Sequence, residues 1–190
     1  MRTINDIFTD RTCYTFKDKA QDPLLLKQIY DLMKLGPTSA NSCPLRMIFV
    51  QSPEQKLKLE KCVMEGNIAK VKSAPTVVLF AYDTKFYNQM DKTNPDGQWI
   101  KNYFASSEKV ATDTAFRSST LQAAYFIIIA RNFGLDCGPM SGFDSIAIEE
   151  KFLSGTDFKI NFICNLGYRA EENPHDRLPR LDFSETCTIV

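Results

Sequence analysis

The chain alternates between stretches with the apolar period of an α-helix and stretches with that of a β-strand. After Asp22-Pro23, apolar residues recur at helical spacing until Gly36. An aspartate followed by proline is a frequent helix start, and glycine often ends a helix. The pattern therefore predicts a helix between these two points. Thr3 and Asp144 predict the starts of two shorter helices by the same capping chemistry.

Two further helices follow from the helical period. Ser52-Pro53-Glu54-Gln55 is a capping box with proline at the first helical position. The apolar positions predicted for its helix are Leu57, Leu59, Val63 and Met64. Residues 113–133 contain neither Gly nor Pro and predict a long central helix, buried on most sides because its apolar stripe is wide. That stripe comprises Ala115, Leu121, Ala124, Tyr125, Ile127, Ile128, Ile129 and Ala130.

Strand-type patterns occupy the intervals between these helices. Residues 46–51 carry four consecutive apolar side chains from Met47 to Val50, residues 76–82 form a continuous apolar run, and residues 158–166 largely alternate apolar and polar. Runs of that length predict strands, and the run at 76–82 predicts burial on both sheet faces. Residues 135–137 predict a further short strand.

Residues 84–107 have no clear period but are rich in aromatic side chains. They contain Phe86, Tyr87, Trp99, Tyr103 and Phe104, with a turn signal at Asn94-Pro95-Asp96-Gly97. We interpret this segment as an aromatic excursion with short helical pieces. It forms either a lid or partner contact, or a satellite hydrophobic cluster, which is the commoner case.

Composition narrows the class of protein. The chain has 190 residues, is 44% hydrophobic, and carries 23 Lys+Arg against 23 Asp+Glu. We expect a single domain over 1–190 with no general attraction to nucleic acid or membrane surfaces. We see no signal peptide and no apolar run long enough for a membrane span. Six scattered cysteines and one histidine favour a reduced, cytoplasmic protein without a metal site.

The stretch from Gly36 to Pro44 is the first candidate for chemistry. Small, polar or conformationally special residues fill it, including Pro37, Thr38, Ser39 and Asn41. Such a loop can lie against a flat polar molecule and offer it hydrogen bonds. The alternative interpretation is an ordinary connection between a helix and a strand.

Other candidates lie far from this loop in sequence. An arginine's planar fork matches phosphate oxygens, and an amide three residues from a lysine can face a heterocycle edge. Glycines on both sides of a short segment let backbone approach a ligand. Each also has an ordinary surface interpretation. These candidates are Arg11, Thr12, Cys13, Asn67, Lys70, Pro139, Met140, Ser141, Gly142, Arg177 and Arg180.

Taken together, these segments resemble the nitroreductase family of FMN-dependent oxidoreductases. The resemblance rests on Arg11-Thr12-Cys13, the 36–42 loop, Glu65-Gly66-Asn67-Ile68-Ala69-Lys70, residues 134–144 and Arg180-Leu181-Asp182-Phe183. It covers nearly the whole chain. The amino-acid sequence of these motifs is most similar to the branch that contains the malonic semialdehyde reductase of pyrimidine breakdown.

The resemblance implies an α+β fold, a mostly antiparallel sheet flanked by helices, in an interlocked homodimer with FMN at the subunit interface. Arg180, with Arg177 as a weaker candidate, would bind the phosphate, and Arg11 would contact the phosphate or the ribityl chain. Pro37, Thr38 and Ser39 would line the ring, and Asn41 would help to shape their loop. Residues 139–142 would face the ring near N5, and Asn67 and Lys70 would lie near its pyrimidine edge. Cys13 stands where many relatives have serine, and Ser141 where many have an acidic residue.

The family's chemistry is hydride transfer through FMN, with NADH or NADPH as donor and a small-molecule acceptor in ping-pong order. No obligatory catalytic side chain is expected, and Lys70 would stabilise the reduced flavin electrostatically. A nucleophilic Cys43 with His175 as its base is far less favoured. Three functions are open: a reductase of nitro compounds, quinones or small carbonyls, a malonic-semialdehyde-type reductase, and a low-turnover FMN-binding or storage protein.

Overall fold

An antiparallel sheet of four strands forms the centre of the molecule. The computed structural model describes residues 2–171 and 176–190. The strands are β1 (Leu45–Val50), β2 (Thr76–Asp83), β3 (Asp136–Met140) and β4 (Phe158–Gly167). Their order is β1-β2-β4-β3, and each neighbouring pair is antiparallel. The sheet therefore has β1 and β3 as its two edges.

Helices cover both faces of this sheet. In chain order they are α1 (Ile4–Thr9), α2 (Pro23–Met33), α3 (Pro53–Glu60), α4 (Glu65–Ser73), α5 (Met90–Thr93), α6 (Gly97–Ala105), α7 (Glu108–Asn132), α8 (Ser145–Phe152) and α9 (Phe183–Thr186). Helices α2 and α7 pack on one face, and α3, α4 and α8 pack on the other. This arrangement confirms the predicted α+β class.

The continuous apolar run of β2 is explained by cores on both of its sides. Val77 and Leu79 belong to the cluster on the α3, α4 and α8 side, whereas Val78 and Phe80 belong to the cluster on the α2 and α7 side. All four side chains are fully buried. Successive strand residues point to opposite faces, so a strand with helices on both sides cannot alternate apolar and polar residues.

Several predicted boundaries were wrong. The helix that Ser52 caps ends at Glu60, so Val63 and Met64 lie outside it. The backbone of Val63 instead pairs with Phe143, and Met64 N–H donates to the Gly142 carbonyl at 3.0 Å. These hydrogen bonds to a distant segment replace the bonds that a longer helix would make, so the helix does not continue. Strand β3 also extends past the predicted 135–137 to Met140, because β4 supplies a partner along that length.

The prediction that the central helix is buried on most sides was wrong for the single chain. Helix α7 begins earlier than expected, with Ser107 as its cap. It turns polar residues inward: Gln122 Oε1 accepts the Leu45 N–H at 3.0 Å, and the Ser119 hydroxyl accepts from Asn161 Nδ2 at 3.0 Å. Gln122 and Ser119 thus occupy the buried side of the helix. Leu121 lies on its outer side and is 44% exposed.

The aromatic excursion consists of a short 3₁₀ turn followed by α5 and α6. Phe86 and Phe104 are buried and pack edge to face, with centroids 4.9 Å apart, in a cluster of their own against α7. That part confirms the satellite-cluster interpretation. Trp99 and Tyr103 instead stack on each other at the surface, with Trp99 70% exposed.

Candidate functional site

Four arginines line one cavity of about 450 Å³ at one end of the molecule. Arg11 and its neighbour Thr12 follow α1, Arg131 comes from the last turn of α7, and Arg177 and Arg180 come from the C-terminal segment. Phe8, Asp10 and Leu178 complete the lining. Four sequence-predicted residues, Arg11, Thr12, Arg177 and Arg180, therefore come together here.

The guanidinium groups in this cavity are held mainly by backbone carbonyls. Arg131 donates to the Ile7 carbonyl at 2.7 Å, and Arg177 donates to the Phe8 carbonyl at 2.5 Å. Arg180 donates to the Leu178 carbonyl at 2.9 Å, and Arg11 donates to the carbonyl of Asp176. Carbonyl dipoles orient a cation but do not cancel its charge.

Asp10 is the one acidic residue among the described lining residues, and it already has a partner. Its carboxylate forms an ion pair with Arg2, with Nη1 and Oδ2 2.7 Å apart. The cavity therefore keeps a strong positive potential. A phosphate, which accepts several charge-assisted hydrogen bonds, is the kind of ligand that arginine forks in this arrangement bind.

Arg131 was missed by the sequence reasoning. Its position in a long helix with apolar neighbours gave no local sign of a ligand. A basic residue in the last turn of a helix is ordinarily explained by the helix dipole. Only the packing of α1 against the end of α7 brings this guanidinium to the cavity.

A second group of predicted residues surrounds the start of α4. The Asn67 side-chain amide donates to the Gly142 carbonyl at 3.0 Å, and the Lys70 ammonium donates to the Asn67 Oδ1 at 3.0 Å. Lys70 Nζ also lies 5.1 Å from the centroid of the Tyr14 ring. The three-residue spacing places Asn67 and Lys70 on one helix face, as predicted.

Gly142 is tightly enclosed in this group. A Cβ at that position would stand 2.6 Å from Asn67 Nδ2. Of its neighbours, Pro139 and Ser141 are exposed, whereas Met140 packs partly into the core below. The segment thus presents backbone and two small side chains to solvent beside Lys70.

Residues 12–14 connect the arginine cavity to the Lys70 group. Cys13 N–H donates to the Cys137 carbonyl at 3.0 Å, so this short segment follows the edge strand β3. A Cβ at Gly138 would lie 2.6 Å from the Cys13 carbonyl oxygen, which shows how closely the two backbones approach. Thr12 lines the cavity and Tyr14 lies beside Lys70, so the two groups are neighbours along this edge of the sheet.

The Cys13 thiol itself is directed inward. The residue is 2% exposed, and its Sγ donates to the Thr15 carbonyl at 3.1 Å. Burial, with a smaller contribution from Asp136, raises the pKa of the thiol to about 11. The group is thus a neutral, buried thiol, and it is not among the residues that line the arginine cavity.

The 36–44 loop lies elsewhere in the chain. Ala40, Asn41 and Cys43 have positive φ angles of 52°, 53° and 42°. The Tyr125 hydroxyl donates to the Pro37 carbonyl at 3.1 Å, and Asn41 Nδ2 donates to the Thr93 carbonyl at 2.6 Å. Contacts with α7 and the excursion therefore hold an irregular loop whose polar groups remain near the surface.

The sheet separates this loop from the other predicted residues. The loop leads into β1, whereas residues 139–142 end β3 at the opposite edge. Three inter-strand steps of about 4.8 Å place the two edges about 14 Å apart. One copy of the chain therefore does not bring Pro37, Thr38, Ser39 and Asn41 to the surface that carries Lys70.

Three other expectations concern groups outside this surface. His175, the base proposed for Cys43, lies outside the described residues. Within the described ranges, no group of three or more His, Cys, Asp and Glu side chains could hold a metal ion. In the same part of the chain, no helix is long and apolar enough to span a membrane.

Comparison with known proteins identifies the family. The model of the nitroreductase family matches residues 8–168, so the chain belongs to that family, as predicted. A protein of Stutzerimonas stutzeri, named as a candidate NADH dehydrogenase/NAD(P)H nitroreductase, is 44% identical over 180 residues, covering 95% of this chain and 91% of its own. HadB of Ralstonia pickettii, with the same designation, is 46% identical over 167 residues, covering 87% and 85%.

Solved structures share the fold. A candidate nitroreductase of Exiguobacterium sibiricum in complex with FMN aligns with a TM-score of 0.86 and 18% identity, over 100% of this chain and 98% of that one. A candidate NAD(P)H:FMN oxidoreductase of Staphylococcus epidermidis aligns with a TM-score of 0.89 and 20% identity, over 100% and 97%. None of these four names specifies the malonic semialdehyde branch, which stays a prediction.

Proposed function

We propose that two copies of this chain form an FMN-dependent NAD(P)H oxidoreductase that reduces nitro compounds, quinones or small carbonyl substrates. The enzyme class follows from membership of the nitroreductase family and from the names of its relatives. The observation that carries the proposal is the cavity of Arg11, Arg131, Arg177 and Arg180, which residues 12–14 connect to the group that holds Lys70.

The cavity has the chemistry that the phosphate of FMN requires. A phosphate monoester carries up to two negative charges and three acceptor oxygens. The four guanidinium groups supply the opposite charge, and the one carboxylate among the described lining residues is already paired with Arg2. Arg11, Thr12, Arg177 and Arg180 would hold the phosphate, with Arg131 as an additional partner.

The Lys70 surface has the chemistry that the ring requires. Asn67 and Lys70 offer hydrogen-bond donors and a positive charge, and Gly142 leaves no side chain in front of them. When bound, FMN would supply hydride transfer between NAD(P)H and the acceptor. The Lys70 ammonium favours negative charge on the adjacent ring edge, because a fixed cation needs little rearrangement when that charge develops.

We propose that the 36–44 loop of a second copy completes this site. The loop lies about 14 Å from the opposite sheet edge, beside which Lys70 lies. It therefore contacts a ring bound beside Lys70 only if it comes from the other subunit. The outer side of α7 supports a homodimer, since it forms a groove of about 600 Å³ lined by Phe116, Leu121 and Ala124. Exposed apolar surface of this kind commonly marks a protein interface.

The six cysteines, all with free thiols, fit a reducing compartment, and we place the protein in the cytoplasm on that basis. The proposed acceptor is a small molecule, and the balanced charge of the chain offers no general affinity for nucleic acid.

The first test is the colour of the purified protein and its response to nicotinamides. We expect a yellow preparation, or one that FMN makes yellow, which NADH or NADPH bleaches and an acceptor recolours. A yellow protein that is inert to both nicotinamides supports the storage function instead. A colourless protein that FMN cannot reconstitute contradicts the proposal. Comparison of kcat/KM for a nitroarene and for malonic semialdehyde then separates the two enzymatic alternatives.

A further inference from the structure

We infer that Tyr14 is a positioning residue for Lys70: its ring face holds the ammonium in place and leaves its charge available to the bound ring. This inference rests on the proposed FMN site, whose pyrimidine edge Lys70 would face. Nothing in the sequence pattern distinguished Tyr14 from its neighbours. The structure alone places it under the lysine.

The geometry around Lys70 is defined by two contacts. Its Nζ lies 3.0 Å from Asn67 Oδ1 and 5.1 Å from the Tyr14 centroid, within the range of about 6 Å for a cation–π interaction. Within residues 2–171 and 176–190, no ion pair joins this ammonium to a carboxylate. The lysine is therefore oriented by an amide oxygen and an aromatic face.

This pair of partners differs from an ion pair in one important respect. A carboxylate within hydrogen-bond distance would offset much of the ammonium's field at a nearby ligand. An amide oxygen and a ring quadrupole restrain the same group while the net charge of the site stays positive. An ammonium has three N–H donors, and Asn67 uses one of them. The remaining donors are available to acceptor atoms of a ligand.

Tyr14 is itself held on both sides, so it can act as a fixed support. Its carbonyl accepts a hydrogen bond from the Ser73 hydroxyl at 3.2 Å, which ties it to the helix that carries Lys70. The preceding Cys13 N–H and the following Thr15 carbonyl bond to Cys137 and Ala170, at 3.0 and 3.1 Å. Tyr14 as a whole is half-buried, which limits the freedom of its side chain to move away.

The test compares Tyr14→Leu, which keeps apolar volume but removes the ring face, with Tyr14→Phe, which keeps the face. We expect Tyr14→Leu to weaken FMN binding about two- to fivefold, the equivalent of a moderately exposed cation–π contact. We also expect a more negative midpoint potential for the bound FMN, because a misplaced cation favours reduction less. Tyr14→Phe should match the wild type in both. Tyr30→Leu is the control, since it removes another ring beside a lysine, Lys34, on α2.

A double-mutant cycle with Lys70→Met decides whether Tyr14 acts through the lysine. We expect Tyr14→Leu to have no further effect on FMN affinity or potential in the Lys70→Met background. An undiminished effect there would show that Tyr14 contacts FMN directly, and equal losses in Tyr14→Leu and Tyr14→Phe would assign the effect to the hydroxyl. Either result overturns the inference.

A measurement on the apoprotein separates this inference from the proposed function. The ring current of Tyr14 should displace the NMR shift of the Lys70 Cε, and Tyr14→Leu should remove that displacement while Tyr14→Phe keeps it. If wild-type protein fails to bind FMN but shows this displacement, the proposed function fails and the contact stands. If the shift is the same in wild type and Tyr14→Leu, the positioning role is wrong whatever the protein binds.

Discussion

The side-chain amide of Asn41 donates a 2.6 Å hydrogen bond to the carbonyl of Thr93, which joins the 36–44 loop to the aromatic excursion. A reciprocal bond runs from Asn94 Nδ2 to the Ala40 carbonyl at 3.0 Å. Two segments more than fifty residues apart therefore restrain each other. Because the loop contains three positive φ angles, these bonds help to hold a backbone that has few other favourable conformations.

Asn41→Gly should loosen the excursion, since glycine tolerates the positive φ but cannot donate to Thr93. We expect faster amide hydrogen exchange in α5 and α6, with α4 unchanged. Asn102→Ala is the matched control, because that exposed side chain is bonded to its helix neighbour Gln98. If amide hydrogen exchange in Asn41→Gly occurs at the wild-type rate, the hydrogen bond from Asn41 to Thr93 is not needed to order the aromatic excursion.

Gly142→Ala should disturb the Lys70 surface, because its Cβ would stand 2.6 Å from Asn67 Nδ2 and 3.3 Å from Met64 Sδ. We expect a loss of about 1–3 kcal/mol in the free energy of unfolding, together with weaker FMN binding. Gly66→Ala is the control, since its Cβ meets nothing within 4 Å and lies in a helix. That change should be neutral or should stabilise by up to about 1 kcal/mol. Similar melting temperatures for the two variants would contradict the expectation.

Arg180→Ala and Arg131→Ala should weaken the binding of FMN far more than that of riboflavin, which lacks the phosphate. Each lost charge-assisted hydrogen bond is expected to cost about 1.5–3 kcal/mol of FMN binding. Fluorescence titration of the apoprotein with both flavins measures the difference. Riboflavin is the internal control, since general damage to the fold would weaken both ligands equally. Equal losses would remove these arginines from the phosphate site.

Leu121→Asp should convert the proposed dimer to monomers and lower FMN retention, because it places a charge on the outer face of α7. Sedimentation velocity measures the first effect and the flavin absorbance of the purified protein measures the second. Leu57→Asp is the matched control, since this leucine is 58% exposed on α3, outside the groove. A dimer that survives Leu121→Asp at micromolar concentration would place the interface on another surface.

The buried Cys13 thiol should make the protein less stable as pH rises from about 9 to about 11. In the unfolded chain the thiol ionises near its ordinary pKa of 9.0, whereas burial raises the folded pKa to about 11. The unfolded state therefore loses a proton first, and stability present below pH 9 falls by up to about 2 kcal/mol across this interval. Urea unfolding of wild type and Cys13→Ala measures the difference in slope. Parallel curves would show that the thiol does not contribute.

Most of the secondary structure followed from local sequence signals. Thr3, Asp22, Ser52 and Asp144 each cap the helix they predicted, and each accepts a hydrogen bond from a backbone N–H in the first turn. The short helix α9 was overlooked, although Asp182 and Glu185 form a capping box that marks it. A helix cap is a hydrogen bond between residues only a few positions apart, so caps can be predicted from the sequence without the tertiary structure.

The sequence by itself determined the family, the helices and strands, and the kinds of side chain available to a phosphate and a ring, because these depend on short motifs and apolar periods. Only the tertiary structure decided which face of α7 is buried, that Arg131 joins Arg11 and Arg180, and that Tyr14 supports Lys70. It also placed the 36–44 loop at the opposite edge of the sheet from Gly142. These relationships arise from the packing of segments distant along the chain, and no local pattern encodes them.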